Sequence, residues 1–590
     1  MKRPDKFSIA AVLQEIGSLL ELKGGVSRFK ARAYQAGARA IAALAGDIGD
    51  VIENDRLTAI PGIGNALASQ IKQLYFTGSS SVLDNLRQEF PPGIVELSEV
   101  PGLSTAKIAQ LHEALGITSI AELQAAAKSG RVRNVKGFGA KTEQKLLEAL
   151  ADHDRDAKTK KRLHVHHALR IGEQVLDYLK TARGLEEVSV AGSLRRWKET
   201  VGTIRIVASS RQPAGLIEHL LRFPLIVRVQ EQTDTACTVE LAEDARVSLR
   251  AVRPDRFALA LFWETGSASH VDKLQEIASR KGLDLGRQSL KIRINRTTKA
   301  QPLKSNRRPP EIRNERAVYS LLQMQYVPPE LREDSGEIEA AVRKALPEDL
   351  ITLSDVRGTV HCHTTYSDGK HTVEEMARIA EGLGMEYLTI TDHSPTAFYA
   401  GGLKLDRLMR QWDEIDETQE KVKIKLLKGT ESDILADGKL DYPERVLEKF
   451  DVVIASIHSR YKMDGEKMTR RLVTAMQQPI FKIWGHALGR LIQRRPPFDC
   501  DVERVLDAIA ESRAAIEVNG DPYRLDMEPR WIREARKRGI KFVISVDAHS
   551  TGALNNVKYG VGIARRGWVR RGEVLNTLSV RGFQKAVRPA

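Results

Sequence analysis

The sequence contains few cysteines and no long apolar stretch. Its three cysteines, Cys237, Cys362 and Cys500, lie far apart and form no CxxC pair, which argues against a disulfide framework and a thiolate zinc site. No segment approaches the roughly 20 apolar residues that a membrane-spanning helix requires. The N-terminus has neither the apolar core nor the cleavage site of a secretory signal. We therefore expect a cytoplasmic protein without a membrane span.

Acidic residues are outnumbered by basic ones. The 590 residues include 92 Lys and Arg against 77 Asp and Glu, a net charge of +15. An excess of this size favours a polyanionic partner, and nucleic acid is the better candidate because the sequence predicts no membrane segment. The chain is also too long for a single hydrophobic core and predicts about three or four domains.

A short pattern recurs three times in residues 1–150, which we expect to form an all-α domain. Each copy has an apolar residue, Gly-x-Gly or a near match, and then a helical pattern; the copies are Leu57–Ile71, Leu97–Leu111 and Val132–Leu147. Glycine permits the positive φ of a tight turn, and the next helix can offer its first N–H groups to a phosphate. The pattern resembles the helix-hairpin-helix motif, which contacts the DNA backbone without reading its sequence; plain helical hairpins are the alternative. The candidate DNA-binding glycines are Gly62, Gly64, Gly102, Gly137 and Gly139.

Residues 151–333 mix short apolar strands with helices and predict an α+β domain. The stretch Val188–Ser209, VSVAGSLRRWKETVGTIRIVAS, resembles the palm signature of family X DNA polymerases, and Tyr326–Glu333 resembles the end of that nucleotidyltransferase-like palm and thumb. In that family this signature and a later Thr-Gly-Ser segment hold the nucleotide triphosphate. The resemblance assigns this role to Gly192, Ser193, Arg195, Arg196, Thr265 and Gly266.

The polymerase-like region lacks the three aspartates that the family uses. Thr203 and Arg205 stand at the two positions of the Asp-x-Asp pair, and Ser248 stands at the third. Carboxylates two residues apart on a strand face the same side and clamp the two ions that polymerisation needs. We therefore expect that this domain does not polymerise and survives as a DNA-holding scaffold. The alternative is an active gap-filling polymerase in which these residues are not the metal positions.

The last part of the chain places histidines and carboxylates at the ends of predicted strands. An acidic linker, residues 334–355, precedes residues 356–590, where short apolar strands alternate with amphipathic helices and predict a parallel α/β barrel. His361-x-His363 and Asp547-x-His549 each put two side chains on one strand face. Because the carboxyl ends of barrel strands converge, the sequence predicts a metal site there.

This set of residues resembles the PHP (polymerase and histidinol phosphatase) family. The order of the three regions resembles bacterial family X DNA polymerases that carry a C-terminal PHP domain. The resemblance implies up to three divalent ions, and a ligand set of imidazoles and carboxylates suits Mn²⁺, Zn²⁺ or Fe²⁺, with Mn²⁺ or Zn²⁺ expected here. The implied ligands are His361, His363, Asp368, His393, Glu431, His458, His486, Asp547 and His549.

Three residues are candidates for catalytic roles beside the metals. Glu431 is placed to bridge two ions, Asp392 to orient an imidazole from behind, and Arg490 to stabilise the leaving oxygen. Arg460 and Lys462 are candidates for contacts to the DNA backbone.

The expected function is a metal-dependent 3′–5′ exonuclease or 3′-end-processing phosphodiesterase that acts in DNA repair. Gapped or 3′-ended DNA, bound through its backbone without sequence specificity, is the expected partner. A small-molecule phosphatase of the histidinol phosphate type could use the same metal site. A non-catalytic DNA-end-binding scaffold is the third alternative, and the active polymerase is the fourth.

Overall fold

The computed structural model divides the chain into two compact units, Met1–Lys160 and Lys161–Ala590. The residues that it describes are 6–23, 27–42, 48–60, 62–89, 97, 103, 105–135, 137–140, 142–144, 146–147, 150, 162–241, 245–286, 290–292 and 312–589. Within these ranges no helix combines the length and the apolar character needed to cross a bilayer.

The first unit is helical throughout its described residues. One hydrophobic core is formed by side chains between Ile9 and Tyr75, and a second by side chains between Leu97 and Leu150. The α-helices are Lys6–Lys23, Ser27–Ala42, Ile48–Glu53, Asn65–Thr77, Ser81–Glu89, Thr105–Leu115 and Ile120–Lys128, with 3₁₀ turns at Leu57–Ala59 and Val132–Asn134.

The first and third glycine motifs have the same turn. Gly62 and Gly137 both adopt a left-handed backbone, with φ of 90° and 89°. The N–H of Ile63 donates to the carbonyl of Ile60 over 3.0 Å, and that of Phe138 donates to Val135 over 2.9 Å. Gly64 and Gly139 have no atom near enough to limit a side chain, so the backbone here is open to a ligand. Gly102, in the middle motif, lies outside the described residues.

The second unit begins with a five-stranded sheet of the polymerase-like region. Two central strands, Ile204–Ser210 and Arg246–Val252, are parallel and all other pairs are antiparallel. The sheet order is Leu185–Ala191, Ile204–Ser210, Arg246–Val252, Ala236–Leu241 and Ile226–Gln232. Two short antiparallel pairs join Leu163–His164 to Thr200–Val201 and Leu283–Leu285 to Leu290–Ile292. The helices are Val165–Lys180, Gly192–Arg195, Pro213–Leu221, Phe257–Thr265, Ala268–Arg280 and Glu315–Leu321, with 3₁₀ turns at Pro254–Arg256 and Pro329–Leu331.

The segment 334–355, expected to be a linker, is packed rather than extended. Its helix Glu337–Val342 buries Ile338 and Ala341 in the same core as Phe262 and Tyr319. The acidic Glu337 is fully buried and lies 2.6 Å from Nδ1 of His270. The apolar residues at helical spacing therefore outweigh the acidic composition, and the segment completes the core of the preceding domain. A 3₁₀ turn at Leu353–Asp355 then leads into the barrel.

Seven parallel strands form the barrel in chain order, so each strand is paired with the next. They are Gly358–Thr359, Tyr387–Ile390, Lys425–Asp433, Val452–Ser456, Lys482–Trp484, Ala514–Asn519 and Lys541–Ser545. The α-helices are Val373–Gly382, Leu405–Gln419, Glu444–Leu447, Gly465–Met476, Val502–Ala510, Pro529–Lys537, Val557–Arg566 and Val580–Val587. Short 3₁₀ turns lie at Phe398–Ala400, Thr551–Asn556, Arg571–Glu573 and Leu575–Thr577. The barrel is nearly closed, which confirms the predicted fold class.

Candidate metal centre

The barrel brings its first and last strand ends into contact. The N–H of His363 donates to the carbonyl of Ala548 over 2.8 Å, and the N–H of Ala548 donates to the carbonyl of His361 over 3.0 Å. The two sequence pairs, His361-x-His363 and Asp547-x-His549, therefore meet although they are almost 190 residues apart in the sequence. Convergence of strand ends is what a barrel of parallel strands produces.

Glu431 lies at the middle of the nine predicted ligands. It is buried on the third barrel strand, and each of its carboxylate oxygens faces a different group of histidines. Oε1 lies 2.8 Å from Nε2 of His486, 3.2 Å from Nε2 of His458 and 3.4 Å from Nε2 of His361. Oε2 lies 3.0 Å from Nδ1 of His393 and 3.6 Å from Nε2 of His363.

Two aspartates complete the cluster on the side of His549. Oδ1 of Asp547 lies 3.2 Å from Nε2 of His363 and 3.5 Å from Nδ1 of His549. Oδ1 of Asp368 lies 3.3 Å from Nε2 of His549 and 3.6 Å from Nε2 of His393. All nine residues expected from the sequence are thus gathered around one centre.

The donor atoms fit divalent metal ions. The ligand atoms form three groups, and within each group all atoms lie within 4.8 Å of one another. Together the three groups include eight of the nine residues. Buried polar atoms without a hydrogen bond also point into the centre, and a metal would supply the missing partner. The three groups are His363, Asp368, His393 and His549; His361, His363 and Asp547; and His393, Glu431 and His458. The unpartnered atoms include Nε2 of His361, Nε2 of His363, Nδ1 of His393 and Oε2 of Glu431.

Opposite charges hold the centre together. Burial disfavours the charged form of His458, but Glu431 and Asp433 outweigh it and raise its pKa to about 9. The pKa of Glu431 is well below its usual range, because the surrounding histidines outweigh the effect of burial. The pKa of Asp547 is lowered in the same way, with His361 as the main opposing charge. Ligands that share protons in this way exchange them for a divalent cation when it binds.

The polymerase-like region forms a separate basic cavity of about 490 Å³. Four cationic side chains line it, together with the predicted Gly192, Ser193 and Gly266. Gly192 has φ of 62°, and a side chain there would touch that of Arg205. The four cationic residues are Arg162, Arg196, Lys198 and Arg205.

Within the described residues, the two arginines expected to hold a triphosphate already have acidic partners. Nη2 of Arg195 donates to Glu315 over 2.6 Å, and Nε of Arg196 donates to Glu333 over 2.8 Å. Thr265 accepts from both, through its hydroxyl at 2.8 Å from Arg195 and its carbonyl at 2.6 Å from Arg196.

The three residues at the expected polymerase metal positions lie close together, and none of them has a carboxylate side chain. Arg205 and Ser248 are directly paired on the two parallel strands, and Thr203 precedes the first of these strands. Arg205 instead forms an ion pair of 3.2 Å with Glu264, which also pairs with Arg250 at 2.9 Å. One positive charge, that of Arg205, therefore lies where the family pattern has a negative one.

Four stretches of the chain match family profiles. They are a helix-hairpin-helix domain at residues 4–80, a SAM-like helix-hairpin-helix tandem at 94–152, a DNA polymerase beta thumb at 260–333 and a PHP domain at 359–521. The chain is also 34% identical over 582 residues to the DNA polymerase/3′-5′ exonuclease PolX of Bacillus subtilis (strain 168), and the match covers 98% of each chain. The chain belongs to this PolX family.

Some shorter relatives of the present chain are named as phosphatases. The present chain is 34% identical over 206 residues to a "Probable phosphatase" of Caldanaerobacter subterraneus subsp. tengcongensis, and the match covers 32% of this chain and 74% of that protein. It is 29% identical over 235 residues to a "Probable phosphatase" of Thermoanaerobacter sp. (strain X514), covering 37% and 89%. The expected family is confirmed. The PHP match indicates a metal-dependent hydrolase, and the helix-hairpin-helix and thumb matches indicate DNA binding.

Glu517 supports the centre of this PolX chain and was not predicted from the sequence. It is fully buried on the sixth barrel strand, with Oε1 2.7 Å from Nδ1 of His361. Its Oε2 accepts from the N–H of His486 over 2.5 Å. Asp433 has a similar role, 2.5 Å from Nδ1 of His458. Each carboxylate fixes which imidazole nitrogen faces the centre, and the strand-end rule that found the ligands could have found both.

Asp392 differs from the expectation that it orients an imidazole. Its carboxylate accepts from the N–H of Thr364 over 2.8 Å, from the hydroxyl of Thr364 over 2.6 Å and from the hydroxyl of Ser367. Gln411 also donates to it. Asp392 therefore holds the loop that carries Asp368, rather than a histidine ring.

Arg490 also differs from its expected role beside the leaving group. Its guanidinium donates to the carbonyls of Arg524 and Leu525 and faces Glu199 and Glu528, both at 3.7 Å. The arginine that reaches the centre is Arg524, whose Nε lies 3.4 Å from Oδ2 of Asp547. Arg460 and Lys462 are exposed beyond His458, and their contact with DNA remains a prediction.

Proposed function

We propose that this PolX chain is a metal-dependent phosphodiesterase that removes nucleotides from DNA 3′ ends. We further propose that its polymerase-like domain does not extend those ends. The observation that carries the first part is the carboxylate of Glu431, whose two oxygens face five histidines that follow four different strands. A carboxylate in this position suits the bridging of two ions.

The nine residues around Glu431 would hold the metal ions. Bound divalent ions supply Lewis-acid polarisation of the phosphate ester and a water that ionises near neutral pH. Glu517 and Asp433 hold the rings of His361 and His458 so that the opposite nitrogen of each faces the centre. Mn²⁺ and Zn²⁺ both accept such a mixture of imidazole and carboxylate ligands.

Arg524 is the residue we assign to charge stabilisation, in place of Arg490. Its guanidinium lies beside Asp547 and also faces Asp521 at 3.7 Å. Its Nη1 is buried without a hydrogen bond. A positive charge fixed next to the reacting phosphate favours the negative charge that develops on the departing 3′-oxygen.

The pairing of Arg205 with Ser248 supports the proposed loss of polymerase activity. A guanidinium does not bind Mg²⁺, and a neutral hydroxyl lacks the negative charge of the carboxylates that usually hold this ion. Glu264 is already shared between Arg205 and Arg250. The cavity could still bind the DNA backbone through its cationic side chains. This arrangement favours a role as a DNA-holding scaffold on gapped or 3′-ended DNA, in repair.

The experiment uses a 5′-labelled single-stranded oligonucleotide with Mn²⁺ and then with Zn²⁺. We expect a ladder of products shortened one nucleotide at a time, absent with a chelator and absent in Asp547→Ala. Internal cuts without a ladder, or a ladder that Asp547→Ala retains, would refute the proposal.

A monoester phosphatase is the second candidate, because the shorter relatives are named phosphatases. The two activities are separated by comparing p-nitrophenyl phosphate with bis(p-nitrophenyl) phosphate. Preference for the monoester, with no shortening of DNA, would favour this second function.

A further inference from the structure

Two neighbouring aromatic rings stand exposed at the rim of the metal centre. The side chain of Phe398 is 84% exposed, the highest value among the exposed large hydrophobic residues of the described chain, and that of Tyr399 is 61% exposed. Their ring centroids are 6.1 Å apart and their planes are nearly perpendicular. The centroid of the Tyr399 ring lies 6.4 Å from that of His393. Large apolar side chains that are exposed next to each other, rather than singly, often mark a binding site.

The turn that carries the two rings is firmly held. Ala397 and Ala400, on either side of them, are buried, as is Leu403. The N–H of Gly402 donates to the carbonyl of Ala397 over 3.0 Å, and a side chain at Gly402 would collide with the carbonyl of Ser394. The small residues of this turn thus face the core while the two large ones face solvent, an inversion that folding alone does not favour.

Further contacts anchor the same turn to the barrel. Thr396 donates its N–H to Asp441 over 2.6 Å, and Arg407 donates to the carbonyl of Gly401 over 2.9 Å. The rings therefore have a fixed position relative to the metal ligands.

We propose that Phe398 and Tyr399 form a stacking platform for the terminal nucleobase of the DNA strand whose phosphodiester lies at the metal centre. This inference rests on the proposed function. Every nucleobase has a π face, so stacking on an aromatic ring accepts any sequence. That tolerance agrees with the sequence-independent contacts to the DNA backbone that are expected of the helix-hairpin-helix motifs. A protein partner on these rings would instead cover the approach to His393 and obstruct the substrate.

The platform requires a base that is free to leave its partner strand. We therefore expect the protein to prefer unpaired 3′ ends, such as single strands and mismatched primers, over fully paired ones. The aromatic pair would select the structure of the end, while the metal centre would act on any phosphodiester brought to it.

The test compares two oligonucleotides that differ only at the 3′ terminus. One ends in an ordinary nucleotide and the other ends in a tetrahydrofuran abasic residue. For the ordinary end, we expect Phe398→Ala and Tyr399→Leu each to raise KM by about 5- to 150-fold, the range that loss of base stacking gives. For the abasic end, both variants should match the wild type. Leu353→Ala, which trims a 53% exposed side chain of the same unit, is the matched control and should change neither value.

A second measurement does not depend on hydrolysis. With Mn²⁺ present and a hydrolysis-resistant phosphorothioate as the terminal linkage, an oligonucleotide carrying 2-aminopurine as its 3′-terminal base should lose fluorescence on binding to the wild type, because stacking quenches this base. Phe398→Ala should retain most of the fluorescence at saturating protein.

Three results distinguish the proposals. Wild-type KM and wild-type quenching in both variants, with DNA still degraded, would overturn the platform and leave the proposed function intact. A wild type that cleaves no DNA would refute the proposed function, and the quenching would then decide the platform alone. A fall of several degrees in the melting temperature of Phe398→Ala, with both DNA readouts unchanged, would show that the rings pack against another part of the protein and would overturn the platform.

Discussion

Glu199 joins the polymerase-like region to the barrel, and loss of its charge should lower the stability of the folded chain. Its side chain is 18% exposed and pairs with Arg566 at 2.8 Å and with Arg490 at 3.7 Å. Arg490 in turn donates to the carbonyls of Arg524 and Leu525. Glu199→Gln keeps the shape of the side chain and removes its charge, so two buried guanidinium groups lose a carboxylate partner.

Two arguments give the loss of unfolding free energy expected for Glu199→Gln. Removing one partner of a buried ion pair costs about 3–5 kcal/mol. The lower end applies here, because Arg490 retains Glu528 and Arg566 retains the carbonyl of Trp197. Burial opposes the charge of Glu199, but Arg566 and Arg490 outweigh it and lower its pKa from 4.5 to about 2. A shift of this size corresponds to roughly 3 kcal/mol.

The lowered pKa of Glu199 also determines how its contribution to stability changes with pH. A carboxyl group whose pKa is lowered by folding stabilises the protein above its unfolded pKa, and this contribution is lost as pH falls through the folded pKa. The contribution of Glu199 is therefore complete above about pH 5 and fades between about pH 4.5 and pH 2. The difference between wild type and Glu199→Gln should fall from about 3 kcal/mol at pH 7 to about half of that at pH 3.

Urea unfolding followed by tryptophan fluorescence measures the difference in stability between wild type and Glu199→Gln, and it reports on the unit that contains Glu199. All six tryptophans, from Trp197 to Trp568, lie in the second unit. The matched control is Glu186→Gln, which removes an exposed carboxylate 3.6 Å from Arg211 and should cost less than about 1 kcal/mol. Equal unfolding midpoints for the two variants at pH 7 would refute the reasoning.

Two further substitutions, one of them with a matched control, test the metal centre and the DNA contacts. Arg524→Leu should slow hydrolysis by about 10²- to 10³-fold, and it should make the rate for aryl phosphodiesters depend more steeply on the leaving group; an unchanged dependence would exclude Arg524 from charge stabilisation. Gly137→Ala and Gly78→Ala each force a side chain into a left-handed backbone, with φ of 89° and 70°, and should cost about 1–2 kcal/mol of stability. Gly137→Ala should also weaken DNA binding and its salt dependence, whereas Gly78 ends a helix outside the motif and should not; equal DNA affinities would contradict a role for the glycine turns.

Most of the metal ligands could be predicted from the sequence because they lie at or just beyond the end of a recognisable strand. A parallel barrel brings its strand ends together whatever the exact lengths of the helices between them, so position along the chain was enough for His361, His393 and Asp547. The tight backbone approach at Gly369, where a side chain would collide with His363, is a detail that only coordinates provide. The fold class followed from the same alternation of strands and helices.

The supporting residues were harder to predict because they depend on side-chain direction. Asp392 and His393 are neighbours in the sequence, but successive side chains of an extended segment point to opposite sides, so Asp392 reaches the loop at Thr364 instead of a ring. Arg490 and Arg524 both follow barrel strands, and which of them enters the centre depends on the irregular backbone near Leu525, where φ is 44°. Such a conformation leaves no periodic pattern in a sequence.

The central claim is tested most directly with a 5′-labelled primer on a gapped template, incubated with Mn²⁺ in the presence and absence of the four dNTPs. A nuclease with a silent polymerase-like domain predicts shortening of the primer in both conditions, its loss in His361→Ala, and no extension by either protein. Extension that persists in His361→Ala would show that Thr203, Arg205 and Ser248 do not occupy the polymerase metal positions, and it would contradict the proposed loss of polymerase activity.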